Sequence, residues 1–176
     1  MVIDKERSEE NLRIRRAIGE KLREIVDGQV VYRDLGRLVY SSLGFGKKST
    51  GVTYITAIFS GYHPQGHHYG RDLTNLDLER LAIVLKAFRI PKSDSLVLDI
   101  SRAYPPFRQM LDGVREESLS PFNDYESFLR LSRKVADKEG LSLVPKKEKL
   151  RKSFRDSPPA KRQAILRKLE LAMMTE

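Results

Sequence analysis

TGVTYITAIFSG, Thr50 to Gly61, is the stretch whose reading decides the fold. Val52, Ile55, Ile58 and Phe59 recur at helical spacing and predict one buried face, while Thr50, Thr53, Tyr54 and Ala57 fall together on the other. That outer face is small, polar and uncharged. Ser49 and Thr50 are N-cap candidates just ahead of the run, and Gly61 followed by Pro64 is a stop signal. Lys47 and Lys48 precede the helix start, where the unsatisfied N–H groups and the positive end of the dipole also point. Such an end suits a phosphate.

Downstream of this stretch, LDLERLAIVLKAFRIP (Leu76 to Pro91) has an apolar helical pattern closed by a proline. Upstream, AIGEKLREIVDG (Ala17 to Gly28) and YRDLGRLVYSSLG (Tyr32 to Gly44) are two further amphipathic segments ending in glycine. Taken together, residues 12 to about 100 resemble the helix-turn-helix domain of the lambda-repressor/Cro (XRE) type. That family follows its recognition helix with a helix of pattern Leu-x-x-Leu-Leu-x-Leu-Ala-x-Ala-Leu-Gly-Val. Leu78, Leu81, Ala82, Val84, Leu85, Ala87, Phe88 and Ile90 stand at the matching places. Two stretches depart from the family. FGKKSTG (Phe45 to Gly51) is longer than the usual tight turn, and QGHHYGRDLTN (Gln65 to Asn75) is inserted after the recognition helix. Neither breaks the hydrophobic pattern.

The resemblance implies an all-α helix-turn-helix bundle that places residues 50–60 in the major groove of double-stranded DNA. Ser49, Thr50, Thr53, Tyr54 and Ala57 would then meet base edges, while Arg33, Arg37, Lys47, Lys48, His63 and Arg71 would hold phosphates. The reading face lacks the Arg, Gln and Asn of strong bidentate base contacts, so thymine-methyl contacts and DNA shape are expected to contribute.

The charge of the chain agrees with a polyanionic partner. Its 176 residues carry a net charge of +9 and are 40% apolar, enough for one good core and a smaller second unit. Residues 1–145 hold 23 Lys and Arg against 20 Asp and Glu, whereas residues 146–168 hold 10 against 2. Most of the excess is therefore C-terminal, and solvated helix faces are the alternative explanation for it. Absence of cysteine removes disulfides, thiolate metal sites and thiol catalysis. No apolar run reaches the roughly 18 residues of a membrane span, and MVIDKERSEE lacks a signal-peptide core. A cytoplasmic protein is expected.

Residues 1–11 alternate in charge and read as a lead-in. Leu12, Ile14, Ile18, Leu22 and Ile25 then give an amphipathic helix with a basic flank of Arg13, Arg15, Arg16, Lys21 and Arg23. Ser93 or Asp94 is placed to cap a helix over Ser95 to Tyr104, which buries Leu96, Val97 and Ile100; in the family this helix completes the core or starts the dimer contact. Pro105-Pro106 marks the domain boundary, giving a helix-turn-helix domain over 12–104 and a helical module over 107–176. In the module, Gln109 to Gly140 reads as one helix and Pro159 to Met174 as another. Phe122, Tyr125, Phe128, Leu129, Ile165, Leu166 and Leu169 form stripes of a kind that is most often core, but a unit of this size covers little by itself and would share them with a second copy, so a homodimer is expected. Lys146, Lys147, Lys149, Arg151, Lys152 and Arg155 are expected to face DNA or solvent.

Chemistry finds less support. Around Gly46-Lys47-Lys48, Ser41 stands where a phosphate-binding loop needs its first glycine, and Lys48 where it needs a hydroxyl. His63, His67 and His68 with Asp72 have zinc-compatible side chains, but adjacent histidines diverge, and Pro64 and Gly66 signal an irregular loop. No metal, cofactor or enzymatic activity is expected. The competing reading is an interaction factor whose helix-turn-helix scaffold docks on RNA polymerase or another partner protein.

Overall fold

The structure is a computed structural model that describes residues 5–26, Leu38, 71–139 and 144–175. Every element among the described residues is a helix: α1 (Lys5–Val26), α2 (Asn75–Ala87), α3 (Ser95–Ala103), α4 (Phe107–Asp112), α5 (Glu116–Glu139), α6 (Val144–Arg155) and α7 (Pro159–Met174). They belong to two compact units, Met1–Arg115 and Glu116–Glu176. The Pro105-Pro106 break therefore lies inside the first unit, and the long helix expected from Gln109 is interrupted at Gly113 between α4 and α5.

In the first unit, α1 packs on α3, α3 on α4, and α4 on α2. Ile14, Ile18, Leu22 and Ile25 are buried along one side of α1, as their spacing requires. The helix starts well before Leu12, however. Arg7, Asn11 and Arg15 continue the same inner stripe at i, i+4, i+8, and an apolar count is blind to a polar half-stripe. Residues 5–11 are thus part of the scaffold, and Arg15, only 2% exposed, does not belong to the solvent-facing basic flank.

α2 opens with a capping box: the Asp77 N–H donates to Thr74 Oγ1 at 3.1 Å, and the Thr74 N–H donates to Asp77 Oδ2 at 2.9 Å. Leu78, Leu81, Ala82, Val84 and Leu85 are all buried. At the far end the Ile90 N–H reaches the Leu85 carbonyl at 2.9 Å and the Arg89 N–H the Lys86 carbonyl at 3.0 Å, the two bonds of a Schellman cap. The residue that turns the chain is Arg89, with φ of 57°. Arginine thus occupies a left-handed position that usually belongs to glycine.

α3 is capped by Asp94, whose Oδ1 accepts from the Leu96 N–H at 3.0 Å, and its Leu96, Val97 and Ile100 are buried. α4 closes the unit by burying Phe107 and Leu111.

In the second unit α5, α6 and α7 all pack on one another, with α5 against α7 the most extensive pair. Pro121 sits near the start of α5. Phe128 of α5 and Phe154 of α6 stack with ring centroids 4.2 Å apart and planes 11° from parallel. Asp124 and Arg162, both buried, approach to 3.2 Å between α5 and α7, and Gln163 Nε2 donates to Asp124 Oδ1 at 3.0 Å. Lys138 closes the far end by donating to the Ala172 and Met173 carbonyls at 3.2 and 3.4 Å, and to the Thr175 carbonyl. Its charge offsets the negative end of α7.

Candidate nucleic-acid interface

The expected reading stretch and most of its contact residues lie outside the described residues: Ser49, Thr50, Thr53, Tyr54 and Ala57, with Arg33, Arg37, Lys47, Lys48 and His63. What the structure does describe is the point at which the chain returns from that stretch. There Arg71, Asp72 and Leu73 are held to α1 and to the end of α3 by a connected polar network.

Arg15 supplies the main-chain clamp. Its Nε and Nη2 donate to the Arg71 carbonyl at 3.2 and 3.0 Å, and Nη2 also donates to the Asp72 carbonyl at 3.3 Å. A guanidinium suits this work because its planar fork keeps several donors in fixed directions, which makes its burial tolerable. Asn11, 2% exposed, donates from Nδ2 to Asp72 Oδ1 at 2.7 Å and accepts at Oδ1 from the Tyr104 hydroxyl at 2.7 Å. The same hydroxyl accepts from the Leu73 N–H at 2.9 Å. Arg7 adds a donor to Asp72 Oδ1 at 3.0 Å and lies over the Tyr104 ring, 5.2 Å from its centre.

These contacts set the titration of the network. Hydrogen bonding from Asn11, aided by Arg7, holds the Asp72 carboxyl below its usual range despite the opposing cost of burial. Burial pushes the Tyr104 phenol upward, against the stabilising hydrogen bond from the Leu73 N–H. A second ion pair ties α1 to the start of α3, with Lys21 Nζ 3.0 Å from Asp94 Oδ2. Burial opposes the charge on Asp94, yet the Lys21 and Leu96 hydrogen bonds outweigh it and lower the carboxyl's pKa; the bond to Asp94 leads in raising that of Lys21.

Arg71, the one expected phosphate contact that is described, has an exposed side chain on a fixed backbone. The tail of the Gln65–Asn75 insertion is therefore scaffold: Leu73 is buried, Thr74 caps α2 and Asn75 is its first residue. Sequence reasoning missed Asn11 and Tyr104, because neither residue type announces a buried hydrogen bond between segments so far apart in the chain.

In the second unit Lys149, Lys152, Lys161, Arg167 and Lys168 are exposed. Arg155 and Arg162 are not, being 6% and 4% exposed, so part of the basic run turns inward. Lys146 and Lys147 have side chains outside the described residues. The expected dimer stripes are also turned inward: Phe122, Tyr125, Phe128 and Leu166 are buried, and Leu129, Ile165 and Leu169 are half-buried. Three helices packed on one another cover residues that two isolated stripes would leave open. The large exposed apolar side chains are instead Leu76, Leu98, Leu150, Leu171 and Met174 among the described residues.

No family model, curated protein or solved structure matches the chain. Among the described residues, no helix is long and apolar enough to cross a membrane.

Proposed function

We propose that the protein is a sequence-specific double-stranded DNA-binding regulator of the lambda-repressor/Cro type, with residues 50–60 in the major groove. The observation that carries this reading is the Arg15 clamp on Arg71 and Asp72. It fixes the chain about ten residues beyond the reading stretch, and a reader works only if its supports hold it in register. The cap of α2 supports the resemblance further, since Arg89 takes a left-handed turn at the place where the family pattern has glycine. Ser49, Thr50, Thr53, Tyr54 and Ala57 meet bases in this reading, and Arg33, Arg37, Lys47, Lys48, His63 and Arg71 meet phosphates. It includes a cytoplasmic, non-enzymatic homodimer. The two-fold contact then falls on α3, where Leu98 is 39% exposed, because Phe122, Tyr125, Phe128 and Leu166 are already covered.

The salt dependence of duplex binding tests the reading. A binder making several phosphate contacts loses affinity steeply as salt rises, and replacing Lys47 and Lys48 by Ala lowers the logarithmic slope by about 2. A flat salt dependence favours the second reading, an interaction factor docking on RNA polymerase or another protein. The exposed Leu171 and Met174 are the observation on that side.

A further inference from the structure

The C-terminal ends of α5 and α7 enclose an open groove of about 460 Å³. Its apolar lining is formed by Leu131, Leu171, Met173 and Met174, and its charged lining by Lys134, Arg167 and Glu170. Along α7, Arg167, Glu170, Leu171 and Met174 follow the i, i+3, i+4, i+7 rule and so share one face. Leu171 is 62% and Met174 81% exposed, values that place apolar walls in water and rule out a closed cavity that would engulf a small ligand.

From this surface we infer that the groove receives an amphipathic helix of a partner protein, apolar on one side and acidic on its flanks. An apolar trough that also carries charged lining residues is the complement of such a helix, which docks by anchors at i, i+3, i+4 and i+7. Two neighbouring methionines suit the task, because an unbranched thioether side chain repacks around anchors of different shape. Charge selects the sign of the partner. Lys134 and Arg167 outnumber Glu170 among the charged residues that line the groove, and all three are exposed. Lys138 covers the last carbonyls of α7, so the negative end of that helix does not repel an acidic partner. A second copy of this chain fits less well, since it brings an equally basic lining to the same trough. The inference holds whether or not the first unit binds DNA.

Fluorescence anisotropy on the full-length protein tests it with two labelled synthetic peptides of about 16 residues, both with leucine anchors at helical spacing. One has glutamate at its flanking positions and the other lysine. The glutamate peptide is expected to bind at least about tenfold tighter than the lysine peptide. The double variant Leu171→Asp with Met174→Asp should abolish binding, and Lys134→Glu with Arg167→Glu should weaken the glutamate peptide about tenfold while strengthening the lysine one. All four side chains are exposed, so unchanged thermal melting will separate lost binding from lost folding. Equal binding of the two peptides, no binding at all, or binding indifferent to these variants overturns the inference. So does a protein that sediments as a dimer until Leu171 and Met174 are replaced, which would assign the groove to a second copy.

Discussion

Tyr104, at the end of α3, donates its hydroxyl hydrogen to Asn11 Oδ1 of α1 across 2.7 Å, and the same oxygen receives the Leu73 N–H at 2.9 Å. One phenol oxygen thereby joins the first helix, the last turn of α3 and the chain entering α2. Tyr104→Phe keeps the ring and removes that oxygen, leaving a buried amide oxygen and a buried N–H without their partner. A loss of about 2 to 6 kcal/mol in urea unfolding is expected, since each of the two groups costs about 1 to 3 kcal/mol when its partner is removed. An unchanged midpoint would show that the network contributes nothing to stability.

Arg15 is expected to act on order more than on charge. Arg15→Lys keeps the charge but cannot reproduce the fork that holds the Arg71 and Asp72 carbonyls. Amide hydrogen exchange at residues 71–75 should accelerate by about tenfold or more while the core of α3 stays protected. Exchange that stays slow throughout would show that the Arg15 fork does not order this segment.

Arg89 stores local strain at the end of α2 with its φ of 57°. Arg89→Gly should raise stability by about 0.5 to 1 kcal/mol, because a residue without Cβ adopts the left-handed turn freely and the position lies outside the helix interior. A lower melting temperature would mean that the Arg89 side chain contributes more than its backbone costs.

The Asp94 carboxyl has a lowered pKa in the folded state, so the sign of its pH dependence is fixed. Its stabilisation is fully present above the unfolded carboxylate value of about 3.9 and is lost as pH falls through the lower folded value. Asp94→Asn should therefore be less stable than the parent at neutral pH, and the gap should close as the solution is acidified below about pH 4. Urea melts of both proteins across that window check this; a gap independent of pH would remove the ion pair with Lys21 from the account.

The second unit should respond to its inner aromatics as a core does. Phe128→Ala breaks the stack on Phe154 and is expected to cost about 3 to 5 kcal/mol. Were Phe128 the surface of a dimer, the same change would alter sedimentation and leave the monomer's stability largely intact.

How far the sequence was legible follows the kind of interaction involved. The apolar periodicity of α2 and α3 and the Asp94 cap are local signals, and the structure has the helices where those signals fall, although α2 stops at Ala87 by the Arg89 turn, ahead of Pro91. The beginning of α1 was hidden because its inner face is polar for two turns, and Asn11 and Arg15 are buried only by virtue of partners at Asp72, Arg71 and Tyr104. The aromatic stripe of α5 was legible as apolar, with a core of its own and a second copy both open as its cover. Periodicity says that Phe128 needs cover, and only the fold says that Phe154 provides it. The proposed reading face, Thr50 to Ser60, rests on sequence alone.

Selection from a randomised duplex pool, with the parent protein beside Tyr54→Ala, tests the central claim most directly. The account predicts that the parent retains an enriched sequence, and that Tyr54→Ala binds that sequence about 1 to 3 kcal/mol more weakly while its circular dichroism and melting stay unchanged. A parent that enriches no sequence, or a Tyr54→Ala variant that melts differently but selects the same sequence with the same affinity, would contradict it.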